Sequence, residues 1–315
     1  MRILFVTSNR IGDAVLSTGL LGHLIDTWPQ ARITLACGPA AAPLFADTPN
    51  IERLIALVKQ RRAGHWIGLW RHCAGQVWDL IVDLRASALA WLLLARRRAV
   101  LRKGDAAIHR VRLISSVLGL DPPAAPRLYI GPDRHRRARG LVPDGAPVLA
   151  LGPTANWGGK QWPADRFAAL ARDLLAPGAP LAGGRVAVFA GPNERGPVEA
   201  LIAGLPGVTV IDLAGAIDLL TAAACLQRCA LYAGNDSGLM HLAAAAGVPT
   251  LGLFGPSPEL HYAPWGARAA FVRTPESIEQ LVQAPGYDWR RQDSLMTSLT
   301  VDAVAQAARS LLART

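Results

Sequence analysis

The stretch LYAGNDSGLMHLAAAAGVPTLGLFGPSP, residues 231–258, reads as a strand, a tight polar turn, a short helix and a second strand. The first strand runs into Gly234-Asn235-Asp236-Ser237-Gly238. The helix carries His241 and an alanine run at 243–246, and it stops at Gly247-Val248-Pro249. The second strand, 250–254, closes at Gly255-Pro256-Ser257-Pro258, and loops that follow neighbouring parallel strands face the same rim of a sheet. Glycines and small polar residues at a helix start expose backbone N–H groups and leave room for an anion. Two readings stand: a grip on a phosphate-bearing ligand, or an ordinary strand-to-helix turn, since short Gly/Asp/Ser turns are common.

Working outward, the strand-helix alternation repeats along the chain. Residues 2–6 (RILFV) form a short apolar strand of the kind buried in parallel sheets. The chain breaks at Thr7-Ser8-Asn9-Arg10-Ile11-Gly12-Asp13, and a helix follows from residue 14 to about 28. Further strands are expected at 33–36, 54–58 and 79–84, with a helix at 66–76. The segment 120–147 is rich in Pro, Arg and Gly and marks a boundary. The pattern then restarts, with strands at 148–152, 185–190 and 208–212 and helices at 164–175 and 219–229. This cadence predicts two α/β domains with doubly wound parallel sheets, over 1–145 and 146–315. The last segment, 300–312, is an amphipathic helix.

Composition bounds the function. The 315 residues are 51% apolar and 18% charged, which suits a folded globular chain with two cores. The four cysteines are scattered and complete no metal set, so buried free thiols in a reducing compartment are expected. The N-terminal apolar run is too short for a signal-peptide core, and the longest apolar run, 86–95, is too short to span a membrane. Residues 1–145 carry 21 Lys+Arg against 10 Asp+Glu, and residues 146–315 carry 12 against 13. The excess positive charge therefore lies on the first half, which calls for an anionic partner there: a phosphorylated molecule, an acidic membrane surface or nucleic acid. A solubilising Arg-rich surface is the plainer account. The stretch 84–103 pairs an apolar helical segment with Arg96, Arg97, Arg98, Arg102 and Lys103. It reads either as a core helix with a basic end or as a surface that docks on anionic headgroups.

Three loops carry candidate chemistry. Asp13 stands at the amino end of the first helix, where a carboxylate either meets the helix dipole or projects into the ligand crevice of the sheet. The loop lacks the GxGxxG fingerprint of a dinucleotide site. The loop 153–163 (PTANWGGKQWP) offers Lys160 after two glycines, without the spacing of a Walker motif. Glu194, after the next strand, is expected on the same rim as Asp236, where a carboxylate could accept hydrogen bonds from a ribose.

Taken together, Gly12-Asp13, Lys160-Gln161-Trp162-Pro163 and Asn235-Asp236-Ser237-Gly238-Leu239-Met240-His241-Leu242-Ala243-Ala244 resemble family 9 glycosyltransferases, the ADP-heptose:lipopolysaccharide heptosyltransferases. The third motif is most similar to the heptosyltransferase II branch. The resemblance implies a GT-B architecture of two Rossmann-like domains facing a cleft, with the acceptor on the first and the nucleotide sugar on the second. It implies inverting transfer of heptose from ADP-heptose, with Asp13 as the general base. Lys160, Thr154 and the N–H groups of Ser237 and Gly238 would stabilise the departing diphosphate without a metal or other cofactor. Asp236 and His241 would hold the sugar-phosphate end of the donor, and Glu194 its ribose. The basic half, with Arg61, Arg62, Arg97 and Arg98, would meet an anionic lipopolysaccharide core at the cytoplasmic face of the inner membrane, with no nucleic acid involved. Two departures stand out: Gly19 occupies a first-helix position where the family often has Pro, and Asn156-Trp157-Gly158-Gly159 is bulkier than usual. Another nucleotide sugar in polysaccharide assembly, or a non-catalytic binding module, are the alternatives.

Overall fold

The computed structural model describes residues 1–102, 104–105, 107–283, 287–288 and 290–315, so the basic residue Lys103 lies outside the described residues. The chain divides into two compact units, Met1–Tyr129 and Ile130–Thr315.

In the first unit, β1 (Arg2–Val6), β2 (Arg32–Cys37), β3 (Ile51–Ala56), β4 (Trp78–Asp83) and β5 (Ala95–Val100) form an all-parallel sheet in the order β3-β2-β1-β4-β5. The helices are α1 (Ile11–Thr27), α2 (Gly64–Cys73), α3 (Leu89–Leu92) and α4 (Arg110–Ser116). β1 and β2 lie at the centre, and after their first residues they are wholly buried, as their unbroken apolar runs require. Leu4, Val6 and Ile81 of the sheet pack against Leu69 and Cys73 of α2 and Leu89 of α3. Strand order reverses between β1 and β4, so the loops after these two strands flank the crevice where doubly wound sheets take ligands.

One expectation fails here. The stretch 84–103 is not a helix with a basic end: only Leu89–Leu92 is helical, and Ala95–Val100 (ARRRAV) is the edge strand β5. An edge strand has one partner and one open side, and charged side chains there discourage pairing with other chains. The arginines therefore suit a strand that the apolar run before them conceals.

The junction falls before the expected residue 145 because both flanks are tied down. Arg127 donates to Asp26 (2.9 Å) and to the Gly22 carbonyl (3.0 Å), holding 120–129 on α1. A side chain at Gly19 would collide with the Ala124 and Ala125 carbonyls, which gives that departure from the family pattern a packing cause. On the other side, α5 (Pro132–Leu141) packs on α8 (Leu219–Leu226) of the second unit, and Arg134 pairs with Asp218 at 2.6 Å. Its Pro, Arg and Gly content hid α5 in the sequence, yet Pro at the first helical turn is favourable.

The second unit holds β6 (Val148–Gly152), β7 (Arg185–Val188), β8 (Val210–Asp212), β9 (Leu231–Asn235), β10 (Thr250–Phe254) and β11 (Ala269–Arg273). They form an all-parallel sheet ordered β11-β10-β9-β6-β7-β8. Its helices besides α5 and α8 are α6 (Ala164–Leu175), α7 (Arg195–Ala203), α9 (Gly238–Ala246), α10 (Glu259–Tyr262), α11 (Ile278–Val282) and α12 (Val301–Leu312). The apolar stripe of α12 (Val304, Ala308, Leu311) joins Phe167, Leu170 and Leu174 of α6 over Leu149, Leu151 and Leu253 of the sheet. The final helix thus finds its partner in the core of this unit. Here the order reverses between β6 and β9. Among the described residues no helix is long and apolar enough to cross a membrane.

Candidate active site

The crevice of the second unit lies outside the carboxyl ends of β6 and β9, and the loops after these strands are 153–163 and the turn at 236–237. Asn235, wholly buried at the end of β9, braces one against the other. Its Nδ2 donates to the Pro153 carbonyl (2.8 Å) and its Oδ1 accepts from the Trp162 backbone N–H (3.0 Å). Trp162 is itself buried, donates from Nε1 to the Leu299 carbonyl (2.9 Å) and meets Phe167 edge-on at 4.9 Å between ring centres. The short 3-10 turn at Gly158–Lys160 is therefore fixed from both ends, and it delivers Lys160 to the rim.

There Lys160 Nζ donates to Asp236 Oδ2 at 2.6 Å. The Asp236 side chain is nearly buried while Lys160 keeps about a quarter of its side chain exposed, so the ammonium is the accessible member of the pair. Beside them, Thr154 Oγ1 and the Gly191 N–H both donate to Glu194 Oε2 at 2.7 Å, which leaves Oε1 for a ligand. Next to Asp236, Ser237 caps α9 without a side-chain capping bond, and its buried Oγ faces the buried Tyr232 hydroxyl instead. A Ser at this position ordinarily satisfies an N–H of the first turn. With that bond unmade, the first-turn N–H groups remain for an anion at the positive end of the helix. His241 lies one turn into α9, nearly buried, with its ring 6.3 Å from that of Tyr262. The sequence-derived donor set of Thr154, Lys160, Glu194, Asp236, Ser237, Gly238 and His241 thus belongs to the rim loops and the first turn of α9.

The glycines of this region leave room for neighbours. The hydroxyl of Tyr232, which is wholly buried, lies where a Cβ on Gly152 or Gly234 would be, and burial raises its phenol above the ordinary tyrosine range. Segment 291–296 covers the Lys160 loop. Trp157 Nε1 donates to the Arg291 carbonyl (3.1 Å), Gly158 N–H to Gln292 Oε1 (2.9 Å), and Ser294 Oγ to the Gln161 carbonyl (2.6 Å). A side chain at Gly158 would strike the Gln292 backbone, and one at Gly159 the Trp157 ring. The bulky Asn156-Trp157-Gly158-Gly159 sequence is matched to that covering segment. This contact joins residues more than 130 positions apart, and nothing local in the sequence announces it.

In the first unit, Asp13 sits in the first turn of α1, beside the crevice after β1. Its Oδ1 lies 3.4 Å from Arg110 Nε and its Oδ2 3.5 Å from Ser8 Oγ. Asp83, buried at the end of β4, accepts the Arg85 and Ser87 N–H groups at 2.8 Å and so shapes the loop across the crevice. Arg85 donates to Asn9 Oδ1 (2.8 Å), stacks over Trp66 at 5.0 Å, and lines a groove of about 770 Å³ with Trp66, Trp70, Ser87 and Leu92. Sequence reasoning missed this groove. The signal was present in Asp83-Leu84-Arg85, polar residues directly after a strand that borders the switch point. The four arginines singled out from sequence do not form one cluster. Arg61 and Arg62 are exposed in the turn before α2, and Arg97 is exposed on β5. Arg98 donates to the carbonyls of Ala90 (2.7 Å), Leu93 (2.8 Å) and Ala95 (3.2 Å). Among the described residues no group of three or more His, Cys, Asp or Glu could hold a metal ion, and the four cysteines are free and buried.

Comparison with known proteins gives this geometry its context. The solved glycosyltransferase family 9 protein of Veillonella parvula superposes with a TM-score of 0.83 over 100% of this chain and 98% of its own, at 24% identity. Escherichia coli ADP-heptose lps heptosyltransferase II superposes with 0.75, covering 99% of each chain at 22% identity. Both share with this chain the GT-B fold class of two parallel-sheet α/β units. Lipooligosaccharide heptosyltransferase 2 of Haemophilus influenzae is 31% identical over 87% of this chain and 88% of its own length. The model of glycosyltransferase family 9 (heptosyltransferase) matches residues 71–284, two-thirds of the sequence and most of the crevice loops described above. The chain belongs to glycosyltransferase family 9, the heptosyltransferases.

Proposed function

We propose that this heptosyltransferase moves heptose from ADP-heptose to an anionic inner-core acceptor of lipopolysaccharide, with inversion at the anomeric carbon. The second unit holds the donor and the first holds the acceptor. The observation that carries the reading is the Lys160–Asp236 pair at 2.6 Å, set at the switch point beside an uncapped helix start.

In the reaction the acceptor hydroxyl oxygen forms a bond to the anomeric carbon while the bond from that carbon to the diphosphate breaks. The hydroxyl proton passes to the Asp13 carboxylate, and ADP departs from the opposite face with the bonding pair. The charge that grows on the diphosphate is met by the Lys160 ammonium, the Ser237 side of the turn and the first N–H groups of α9, beginning at Gly238, while Thr154 keeps its hydroxyl on Glu194 and so sets that carboxylate for the donor. Preorganised donors of this kind each contribute roughly 10²–10³-fold in rate. Asp236 fixes Lys160 and accepts from the sugar, His241 lies behind the same turn, and Glu194 Oε1 accepts from the ribose hydroxyls. With Lys160 and a helix dipole at the leaving group, no divalent cation is needed. On the acceptor side Arg61, Arg62 and Arg97 pair with acidic groups of the core, and the enzyme works as a peripheral protein on the cytoplasmic side of the inner membrane. Arg98 supports the neighbouring turn through its carbonyl bonds.

The test is transfer from radiolabelled ADP-heptose to a panel of truncated lipopolysaccharides, beside Asp13→Ala, with and without EDTA, and with other nucleotide sugars in competition. Transfer by the parent in EDTA and none by the variant is the expected result. Full activity of Asp13→Ala removes it as the base, and preferred use of another nucleotide sugar overturns the donor assignment.

A further inference from the structure

The first unit holds large apolar side chains out in solvent. Trp91 is 67% exposed, and Leu92 and Leu94 are each 68% exposed. Ile67 and Trp70, one turn apart on the outer face of α2, extend the patch, and Trp70 Nε1 donates to the Leu92 carbonyl at 3.3 Å. Scattered single exposures are ordinary, but a contiguous apolar patch with a polar rim marks an interaction site. This one is built. Arg98 gathers the carbonyls of Ala90, Leu93 and Ala95 and stacks over the Trp91 ring at 5.6 Å, so the turn that presents Trp91, Leu92 and Leu94 is held in one shape.

The rim is basic. Arg61 and Arg62 stand exposed next to Ala63, which shares a groove with Ile67, Trp70 and Leu92; Arg97 is exposed on β5, the strand that follows Leu94, and Arg102 is exposed just after it. Across residues 53–102 ten Lys or Arg face two Asp. Of these two, Asp83 is fully buried and Asp79 is paired with Arg96. The field over the patch is therefore positive and uncompensated. Tryptophan and leucine with flanking arginines is the composition that settles into the headgroup boundary of an anionic bilayer, where apolar insertion and charge attraction add.

We infer that the α2–α3 surface of this chain docks on a bilayer rich in anionic phospholipid, with Trp91, Leu92 and Leu94 inserted and the positive field of the basic rim drawing it to the headgroups, where Arg61, Arg62 and Arg97 are brought within reach of the acceptor core. The inference rests on the reading of a membrane-bound acceptor and names the surface that would bring the enzyme to it.

Sedimentation of the full chain with phosphatidylcholine vesicles, with and without phosphatidylglycerol, tests it. Binding is expected with phosphatidylglycerol, and roughly tenfold weaker without it or at about 1 M salt, where the screening length falls to ~3 Å. Trp91→Ser/Leu94→Ser, two exposed changes, is expected to lower partitioning by roughly tenfold or more while the circular dichroism and melting temperature stay those of the parent. No vesicle binding by the parent, or equal binding by the variant, overturns the proposal. So does a lipid-free dimer of the parent that the variant abolishes, since the patch is then a contact between two copies. Transfer to a soluble, acyl-free oligosaccharide is measured alongside and should be equal in parent and variant. No vesicle binding by the parent with transfer retained removes the docking proposal alone, and vesicle binding without transfer by either protein removes the transferase reading alone.

Discussion

At the scale of single residues, Lys160 and Asp236 form one device. The carboxylate is nearly buried and its close partner is the ammonium at 2.6 Å, so removing either side leaves the other in the wrong state. Lys160→Ala is expected to lower kcat by about 10²–10³ with a smaller change in the donor KM, because the lost charge acts mainly on the departing diphosphate. Asp236→Asn is expected to raise the donor KM and lower kcat, since the ammonium loses its anchor. The double variant should be little worse than Lys160→Ala alone, as for residues that act as a unit. Steady-state kinetics of the three proteins checks this, and additive losses would mean that the two groups act separately.

Among the elements, α5 is informative because it carries no helical stripe. Asp218 caps α8, accepting from Thr221 N–H (3.1 Å) and Oγ1 (2.7 Å), and also takes Arg134 of α5 at 2.6 Å. Burial pushes its carboxyl up, but the Thr221 hydrogen bonds and the Arg134 charge outweigh it and hold it below the ordinary carboxylate range. A lowered folded-state pKa means stability that is complete above the unfolded value, near 4, and is lost as the pH falls through the folded one. Asp218→Ala should therefore cost about 1–2 kcal/mol at neutral pH, from the cap and the ion pair. The deficit should shrink in acid, below the unfolded value, as the parent carboxyl takes up its proton. Denaturant titrations of both proteins at neutral and acid pH measure it, and a deficit independent of pH would count against the ion pair. The same elements show what a sequence can reveal. β9, α9 and β10 were legible because an apolar run, a polar turn and a Gly-Val-Pro stop act locally. So were the donor loops, because sheet topology alone sends them to one rim. β5 was not: an arginine run is a poor strand signal, and only its edge position makes it acceptable. The cover of 291–296 over the Lys160 loop was invisible because it is a tertiary contact between distant segments, and the Trp66–Arg85 groove showed only as polar residues directly after β4.

For the whole molecule, the two units carry separate cores, and each core contains its own reporters. Cys37 and Cys73 lie in the first unit, Cys225 and Cys229 in the second, all free and buried. Burial pushes the thiols of Cys37 and Cys229 up to about 12 and those of Cys73 and Cys225 to about 11, so little thiolate exists at neutral pH in the native state. A thiol reagent should then label the native chain very slowly, and each cysteine pair should react only when its unit opens. The donor site as proposed is built wholly from the second unit. ADP at about a hundred times its dissociation constant would stabilise that unit by about 2.7 kcal/mol and leave the first unchanged unless the two unfold together. Labelling along a temperature ramp, read by peptide mass spectrometry, should show ADP shifting Cys225 and Cys229 to higher temperature while Cys37 and Cys73 keep their profile. Equal protection of all four would mean that the units open as one, and protection of Cys37 and Cys73 alone would move the nucleotide to the first unit and undo the assignment of Lys160.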